Sequence, residues 1–139
     1  MNAQSKRSIL IVDDEKIYAE LMAQSIGENL DCTVYAFSRP LEALAALARL
    51  DAGVIVTDYF MPQINGLEFT RRAAAIAPKA AFVLITGHNL DSVEDELNGL
   101  LPLKGRLQKP FGWRRLADEV LRVWPGPDAP CIRAEAAPA

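Results

Sequence analysis

The chain has 139 residues, enough for one domain with a buried core that needs no disulfide or structural metal. Its formal net charge of −3 and its 50% hydrophobic content favour an ordinary globular protein and give no indication of nucleic acid or an anionic membrane as a partner. The cysteines, Cys32 and Cys131, follow no metal-ligand spacing, which favours reduced thiols in a cytoplasmic protein.

The N-terminal third of the chain predicts two strands and two helices. Residues 1–7 are polar and are predicted to be disordered. The apolar run Ile9–Val12 predicts a first strand, which ends at two aspartates, far short of the ~20 residues of a membrane span. Cys32–Phe37 predicts a second strand, and Pro40 suits the first position of a second helix. The first helix begins near Glu15 and is expected to place these apolar residues on one side: Ile17, Tyr18, Leu21, Met22 and Ile26.

The middle of the chain contains its two most apolar runs. Val54–Thr57 and Phe82–Thr86 are nearly continuous in apolar residues, as expected for strands that are covered on both faces. A third helix between them ends at Pro78. Its predicted face consists of Leu67, Thr70, Ala73, Ala74 and Ala77.

The remaining third predicts a helix, a strand, a helix and a tail. Asp91–Leu100 forms a short acidic fourth helix, and Arg106–Gln108 is assigned as the fifth strand from its place in the series. Trp113–Trp124 has the clearest amphipathic pattern of the chain and predicts a fifth helix. Residues 125–139 are rich in proline and alanine without periodicity, which predicts a disordered tail.

Strands and helices alternate five times along residues 8–124. This alternation predicts an α/β domain in which five helices cover both faces of a five-stranded parallel sheet. We assign this sheet the doubly wound, flavodoxin-like strand order 2-1-3-4-5, in which strands 1 and 3 are neighbours. In such a sheet, binding sites form beyond the carboxyl ends of the strands. The residues that directly follow the strands are therefore the candidates for chemistry.

Five polar residues occupy those positions: Asp13, Asp14, Asp58, Thr86 and Lys109. Three carboxylates at one edge repel each other and favour a bound cation, and Mg²⁺ prefers such oxygen ligands. A carboxylate beside Mg²⁺ can accept a phosphoryl group, since that transfer depends mainly on positioning and charge neutralisation. A lysine and a hydroxyl can then hold the remaining phosphoryl oxygens.

In order and spacing, these motifs resemble the receiver domain of response regulators in bacterial two-component systems. The resemblance extends from about Ser8 to Trp124 and rests on five motifs together, each of which is weak alone. The motifs are Asp13-Asp14, Asp58-Tyr59-Phe60-Met61-Pro62, Asn65-Gly66, Thr86-Gly87 and Lys109-Pro110-Phe111.

The resemblance implies a role for each residue of the site. Asp58 corresponds to the phosphorylated aspartate, and Asp14 and Asp58 correspond to direct Mg²⁺ ligands. Asp13 is implied to act mostly through water, and the backbone carbonyl of Phe60 to complete the protein ligands. Lys109 corresponds to the ammonium that pairs with the phosphoryl group. The hydroxyl that moves toward that group corresponds to Thr86.

The resemblance also implies a function. The chain is expected to be a stand-alone switch that accepts a phosphoryl group from a histidine kinase or a histidine phosphotransfer protein. It would catalyse only its own phosphorylation and dephosphorylation, and so would not be an enzyme in the usual sense. Its signal would pass through contacts with a downstream protein target, and the domain itself would be a monomer or weak dimer. No nucleic acid and no membrane is expected as a partner.

Three further positions bear on the expected switch. Family members usually carry an aromatic residue three positions before the lysine, but this chain has Arg106, which is always charged and costly to bury unpaired. Arg106 is therefore expected to stay outward, in solvent or paired with an acid of the fourth helix such as Glu94 or Asp95. In receivers, the residues two after the acceptor and two after the threonine flank the hydrolytic water, and these are Phe60 and His88 here.

Simpler interpretations stay open for the same residues. Asp13 and Asp14 could cap the first helix, while Thr86 and Lys109 could be ordinary loop residues. A receiver-like interaction module that does not switch is one alternative, and Arg106 favours it. A phosphohydrolase of the haloacid-dehalogenase kind is another alternative. That class carries an Asp-x-Asp motif at its nucleophile, but this chain has Phe60 where the second aspartate would be.

Overall fold

Five short strands pair side by side in a parallel sheet of order β2-β1-β3-β4-β5. Every residue of β1, β3 and β4 is buried, because helices cover both faces of the sheet. The predicted strand order and α/β class are confirmed. In the computed structural model, which describes residues 7–133, the strands are β1 (Ser8–Val12), β2 (Val34–Phe37), β3 (Ala52–Asp58), β4 (Ala81–Thr86) and β5 (Leu103–Gln108).

Five helices connect and follow the strands, as predicted. Pro40 occupies the first turn of α2, and Asn65 caps α3 by accepting a hydrogen bond from the Glu68 N–H at 2.9 Å. No helix within residues 7–133 is long and apolar enough to cross a membrane. The helices are α1 (Lys16–Asn29), α2 (Pro40–Leu47), α3 (Gly66–Ile76), α4 (Glu94–Asn98) and α5 (Trp113–Val123).

The segment between β4 and α5 differs most from its prediction. The predicted fourth helix divides into a 3₁₀ turn, Asp91–Val93, and the single short helix α4. Strand β5 begins at Leu103, earlier than Arg106, because it pairs with β4 from Phe82 onward although its side chains alternate in burial. Pairing with a buried neighbour therefore defines this strand more than its own composition does.

The core has a layer on each face of the sheet. Helices α1 and α5 cover one face with residues that include Ile26, Leu116 and Val120, and helices α2 and α3 cover the other with Leu47, Phe69 and Ala73. Helix α4 contributes to a smaller cluster around Leu97.

The predicted apolar side of α1 is partly wrong. Tyr18, Met22 and Ile26 face the core, but Ile17 is 74% exposed and Leu21 is 56% exposed. Small Ala19 occupies the buried position next to the sheet instead. The buried side of the helix is therefore rotated away from the side that the largest apolar residues define.

The prediction of disorder from residue 125 is wrong for residues 125–133. This segment, the C-terminal strap, runs back along the end of α1, where Ile132 forms an antiparallel bridge with Leu30. The Asp31 N–H donates to the Cys131 carbonyl and the Arg133 N–H to the Asn29 carbonyl, each at 2.8 Å. Arg7, at the end of the segment predicted to be disordered, also makes contacts with the strap. Residues 1–6 and 134–139 lie outside the described residues.

Candidate functional site

The end of β1 supplies two aspartates in different environments. Asp13 is fully buried, and its Oδ1 accepts a hydrogen bond from the Glu15 N–H at 2.9 Å. Asp14 is exposed. The N-cap residue of α1 is Glu15, without a side-chain cap, so the capping interpretation of the two aspartates is wrong. Their side chains are available for another role at the edge of the sheet.

The end of β3 supplies Asp58, whose side chain is only 9% exposed. Its Oδ1 accepts a hydrogen bond from the Tyr59 N–H at 2.8 Å. A glycine at position 66 is required here, because a Cβ would collide with the Asp58 carbonyl oxygen and would lie 2.9 Å from the Tyr59 Cα. Helix α3 can therefore begin directly against the loop that carries Asp58.

The sheet brings the three predicted carboxylates together. One oxygen from each of Asp13, Asp14 and Asp58 lies within 4.8 Å of the others. Burial, and then the negative charge of Asp13, raise the pKa of Asp58 to about 6. Burial likewise raises the pKa of Asp13, although the hydrogen bond from Lys109 opposes this. Such a set of hard oxygen donors fits a small divalent cation.

Lys109 extends from the end of β5 into this cluster. Its Nζ donates to Asp13 Oδ2 at 2.7 Å and lies 3.5 Å from Glu15 Oε1 and 3.8 Å from Asp58 Oδ2. Burial lowers the pKa of Lys109, but the hydrogen bond to Asp13 and the charges of Asp13 and Asp58 outweigh it, so the pKa is raised. The ammonium therefore stays charged at neutral pH and partly offsets the repulsion between the carboxylates.

Thr86 ends β4 beside Lys109. The Lys109 N–H donates to the Thr86 carbonyl at 2.8 Å, which joins the two strand ends. The Thr86 Oγ1 accepts a hydrogen bond from the His88 N–H at 3.1 Å. The hydroxyl is thus held by the loop after β4 and not by Lys109.

An aromatic rim borders the site. The rings of Phe60 and His88 meet edge to face with centroids 4.7 Å apart, and Phe60 contacts Tyr59 in the same way at 4.8 Å. Phe60 is 49% exposed. The cleft below the rim has a volume of about 390 Å³ and is lined by Asp14, Glu15, Asp58, Phe60, Gly87, His88 and Lys109. Both residues predicted to flank a hydrolytic water therefore line the cleft.

Arg106 lies apart from the cleft, as its charge predicts. Its Nη1 pairs with Glu94 Oε1 at 2.9 Å, and its Nη2 donates to Asn98 Oδ1 at 2.9 Å. The hydrogen bond from Arg106 lowers the pKa of Glu94. The predicted pairing with an acid of the fourth helix is confirmed, and it joins β5 to α4.

Two residues of the site were not predicted from the sequence as site residues. Glu15 reaches Lys109, and the face of the Tyr18 ring lies 4.5 Å from Lys109 Nζ. Glu15 could have been recognised, since it directly follows the aspartate pair. Tyr18 could not, because its helical position is equally suited to core packing.

The fold and the site define a family. A model of the response regulator receiver domain matches residues 9–121, and the chain belongs to this family. It is 35% identical over 121 residues to the C4-dicarboxylate transport transcriptional regulatory protein DctD of Rhizobium meliloti, covering 84% of this chain and 25% of that protein. It is 26% identical to the response regulator receiver protein CpdR of Brucella abortus, covering 84% of this chain and 96% of that protein.

Solved structures share the fold. Chemotaxis protein CheY4 of Vibrio cholerae has a TM-score of 0.77 with 22% identity, covering 86% of this chain and 99% of that one. The chain spans between 25% and 56% of the length of the first curated relatives that it matches. Receiver domains of response regulators are signalling domains of two-component systems that interact with histidine kinases and downstream effectors. The family leaves no support for a haloacid-dehalogenase type of phosphohydrolase.

Proposed function

We propose that this chain is a switch in which Asp58 accepts a phosphoryl group from a histidine kinase or a histidine phosphotransfer protein. One observation carries the proposal: the Lys109 ammonium and three carboxylates converge at the carboxyl edge of the sheet, with Asp58 at 3.8 Å from Lys109. Placing carboxylates this close together, two of them buried, costs folding free energy, and clusters of this kind with a raised carboxyl pKa are typical of functional sites. Phosphoryl acceptance gives each of them a role.

The residues present fit Mg²⁺. Asp14 and Asp58 would hold the ion directly and Asp13 through water, with the backbone carbonyl of Phe60 completing the protein ligands. The clustered carboxylate oxygens support this assignment, since Mg²⁺ prefers hard oxygen ligands. When bound, the ion would neutralise charge between the carboxylates and the incoming phosphoryl group.

In the proposed reaction, an Asp58 oxygen bonds to phosphorus as the bond from phosphorus to the donor imidazole breaks. Asp58 must be ionised to act as the nucleophile, and a pKa of about 6 leaves it mostly ionised at neutral pH. Lys109 is already charged and close enough to pair with the new phosphoryl oxygens after a small movement. The Thr86 hydroxyl, whose oxygen accepts a hydrogen bond from the His88 N–H, would move and donate its own proton in a hydrogen bond to a phosphoryl oxygen.

The movement of Thr86 would change the surface formed by α4, β5 and α5, through which the domain would contact its downstream target. We expect the domain to act as a monomer or weak dimer. A module that binds its target without switching is the second candidate, because the Arg106–Glu94 pair replaces the usual mobile aromatic residue.

A labelling experiment tests the proposal. Incubation with acetyl phosphate and Mg²⁺, followed by intact-mass and peptide mass spectrometry, should add one phosphoryl group, on Asp58. Asp58→Asn should abolish the label, and the matched control Asp118→Asn, which changes an exposed side chain of α5, should keep it. Removal of Mg²⁺ by a chelator should stop labelling, and its return should restore it.

Three outcomes of this experiment decide among the candidates. Labelling of Asp58→Asn at the wild-type level would contradict the assignment of the acceptor. Labelling that persists with the chelator would contradict the role of Mg²⁺. Normal labelling, combined in a separate NMR experiment with amide spectra that do not change when beryllofluoride and Mg²⁺ are added, would favour the non-switching module.

A further inference from the structure

The sequence predicts only core packing for Tyr18, but the structure also places it against the site. Tyr18 lies in the first turn of α1, four residues after Asp14. The centroid of its ring is 4.5 Å from Lys109 Nζ. The ring of Phe111, in the loop after β5, meets it edge to face with centroids 6.3 Å apart and an interplanar angle of 78°. The Tyr18 ring is therefore fixed between α1 and the loop that follows Lys109.

The other partners of Lys109 explain why a ring at this position matters. The ammonium is strongly attracted by Asp13, which is fully buried and only 2.7 Å away, whereas Asp58 is 3.8 Å away. A phosphoryl group on Asp58 needs that ammonium to turn toward it. An aromatic face attracts a cation without accepting a proton or a directional hydrogen bond. The ring thus stabilises the ammonium in the cluster without tying it to one acceptor.

The phenol hydroxyl of Tyr18 can be removed without changing the ring face that contacts Lys109. Tyr18 Oη is buried and has no hydrogen-bond partner among residues 7–133. A buried hydroxyl without a partner lowers the folding equilibrium constant by a factor of about 5 or more. Burial raises the pKa of Tyr18 to about 12 although Lys109 opposes the shift, so the ring is neutral at neutral pH. Phenylalanine would keep the ring face and remove the cost.

We propose that Tyr18 is a positioning residue for Lys109, whose ring face holds the ammonium within reach of a phosphoryl group on Asp58. The proposal rests on the proposed function, since it assumes that Asp58 is the acceptor. Tyr18 itself would touch neither the phosphoryl group nor the reacting atoms. Replacing Tyr18 would therefore change the rate of phosphorylation of Asp58 and not the affinity for Mg²⁺.

The test compares Tyr18→Leu, Tyr18→Phe and the matched control Tyr35→Leu, which changes a half-exposed tyrosine on edge strand β2. At saturating Mg²⁺, Tyr18→Leu should be labelled by acetyl phosphate about 2- to 30-fold more slowly than wild type, the range of a cation–π contact. Tyr18→Phe should be labelled within about twofold of wild type and melt at a higher temperature. The Mg²⁺ affinity should be nearly unchanged in all three variants.

A second measurement gives its main result on the wild type, so it decides the question even if Tyr18→Leu does not fold. In the wild type and in Tyr18→Phe, the Lys109 ε-methylene protons should show an upfield ring-current shift by NMR, and this shift should be absent in Tyr18→Leu. A wild-type Lys109 without the shift would overturn the proposal. So would a Tyr18→Leu protein labelled as fast as wild type, or a Tyr18→Phe protein as slow as Tyr18→Leu. Failure of the wild type to be labelled on Asp58 would instead contradict the proposed function.

Discussion

Asp13 and Asp58 are carboxylates buried next to each other, and this is the clearest electrostatic conflict among the described residues. Lys109 offsets part of it, but the pKa of Asp58 is still raised to about 6 by burial and by Asp13. A carboxyl whose pKa is raised in the fold destabilises the fold when it is ionised. Binding of a cation beside Asp58, or protonation of Asp58, would therefore relieve this repulsion.

This conflict predicts that Asp58→Asn stabilises the protein without metal. Relative to the ordinary carboxyl pKa of 3.8, a folded pKa of about 6 makes the native state bind more protons between those values. Wild-type stability should fall as the pH rises through that window, and Asn should avoid the loss. We expect a gain of about 1–3 kcal/mol at pH 8 that is much smaller near pH 4. Urea unfolding with a chelator measures it, with Asp118→Asn as control; an equal difference at both pH values would contradict the explanation.

The aromatic rim leads to a prediction about the lifetime of the phosphoryl group. The edge-to-face contact between Phe60 and His88 covers part of the cleft that contains Asp58. His88→Ala should open this side to water and speed the loss of the label, while His88→Phe keeps a ring there and should slow it relative to Ala. The Mg²⁺ affinity should be nearly the same in each protein. Equal decay rates by mass spectrometry would leave His88 with a structural role only.

At the scale of whole elements, predictability depended on whether neighbours in the sequence are also neighbours in space. The central strands and the residues after them were predicted, because apolar runs and adjacent polar residues are local signals. The buried side of α1 was not, since Ile17 and Leu21 are large and apolar yet face solvent. Strand β5 was predicted only in part, because its pairing with β4 is a long-range contact. The contact between Tyr18 and Lys109 has the same origin.

The ion pair between α4 and β5 predicts different roles for Thr86 and Arg106 in the switch. The Arg106–Glu94 pair is exposed and worth about 0–1 kcal/mol, whereas moving a two-state equilibrium from 1:99 to 99:1 takes about 5.5 kcal/mol. Activation should therefore depend on Thr86. Thr86→Ala should abolish the amide shifts that beryllofluoride and Mg²⁺ cause in α4, while Arg106→Ala should retain them and weaken target binding in both states.

Arg114→Ala is the matched control for that experiment, because Arg114 forms a comparable exposed pair with Asp118 on α5. It should leave the beryllofluoride shifts in α4 unchanged. Loss of these shifts in Arg106→Ala, with labelling of Asp58 intact, would show that the ion pair itself carries the switch.

At the scale of the whole molecule, the C-terminal strap joins both ends of the described chain. Arg7 pairs with Asp128, donates to the Pro125 carbonyl, and lies over the Trp124 ring at 5.5 Å. Trp124 Nε1 donates to Asp128 Oδ1 at 3.0 Å, and its ring packs on Gly53, where a Cβ would collide with it. The strap is rich in proline and alanine without periodicity, which predicted disorder. Its contacts with Arg7 and with the end of α1 join residues far apart in the sequence, so no local pattern indicates them.

The strap leads to a last prediction, in which Asp128 is the central group. Hydrogen bonds from Arg7 and then Trp124 lower the pKa of Asp128, so its ionised form is favoured in the fold. A carboxyl with a lowered pKa contributes stability above its unfolded value of 3.8, and this contribution is lost as the pH falls through the folded value. Asp128→Asn should therefore lower the melting temperature at pH 7, by an amount that shrinks below pH 4.

Amide hydrogen exchange should show where this stability acts. Asp128→Asn should exchange faster at Asp31 and Arg133, whose N–H groups join the strap to the end of α1, while β3 keeps its protection. Asp118→Asn is the control, since its exposed pair lies within α5. Unchanged exchange at Asp31 and Arg133, together with a melting difference that is equal at pH 7 and pH 4, would show that the ion pair with Arg7 does not hold the strap.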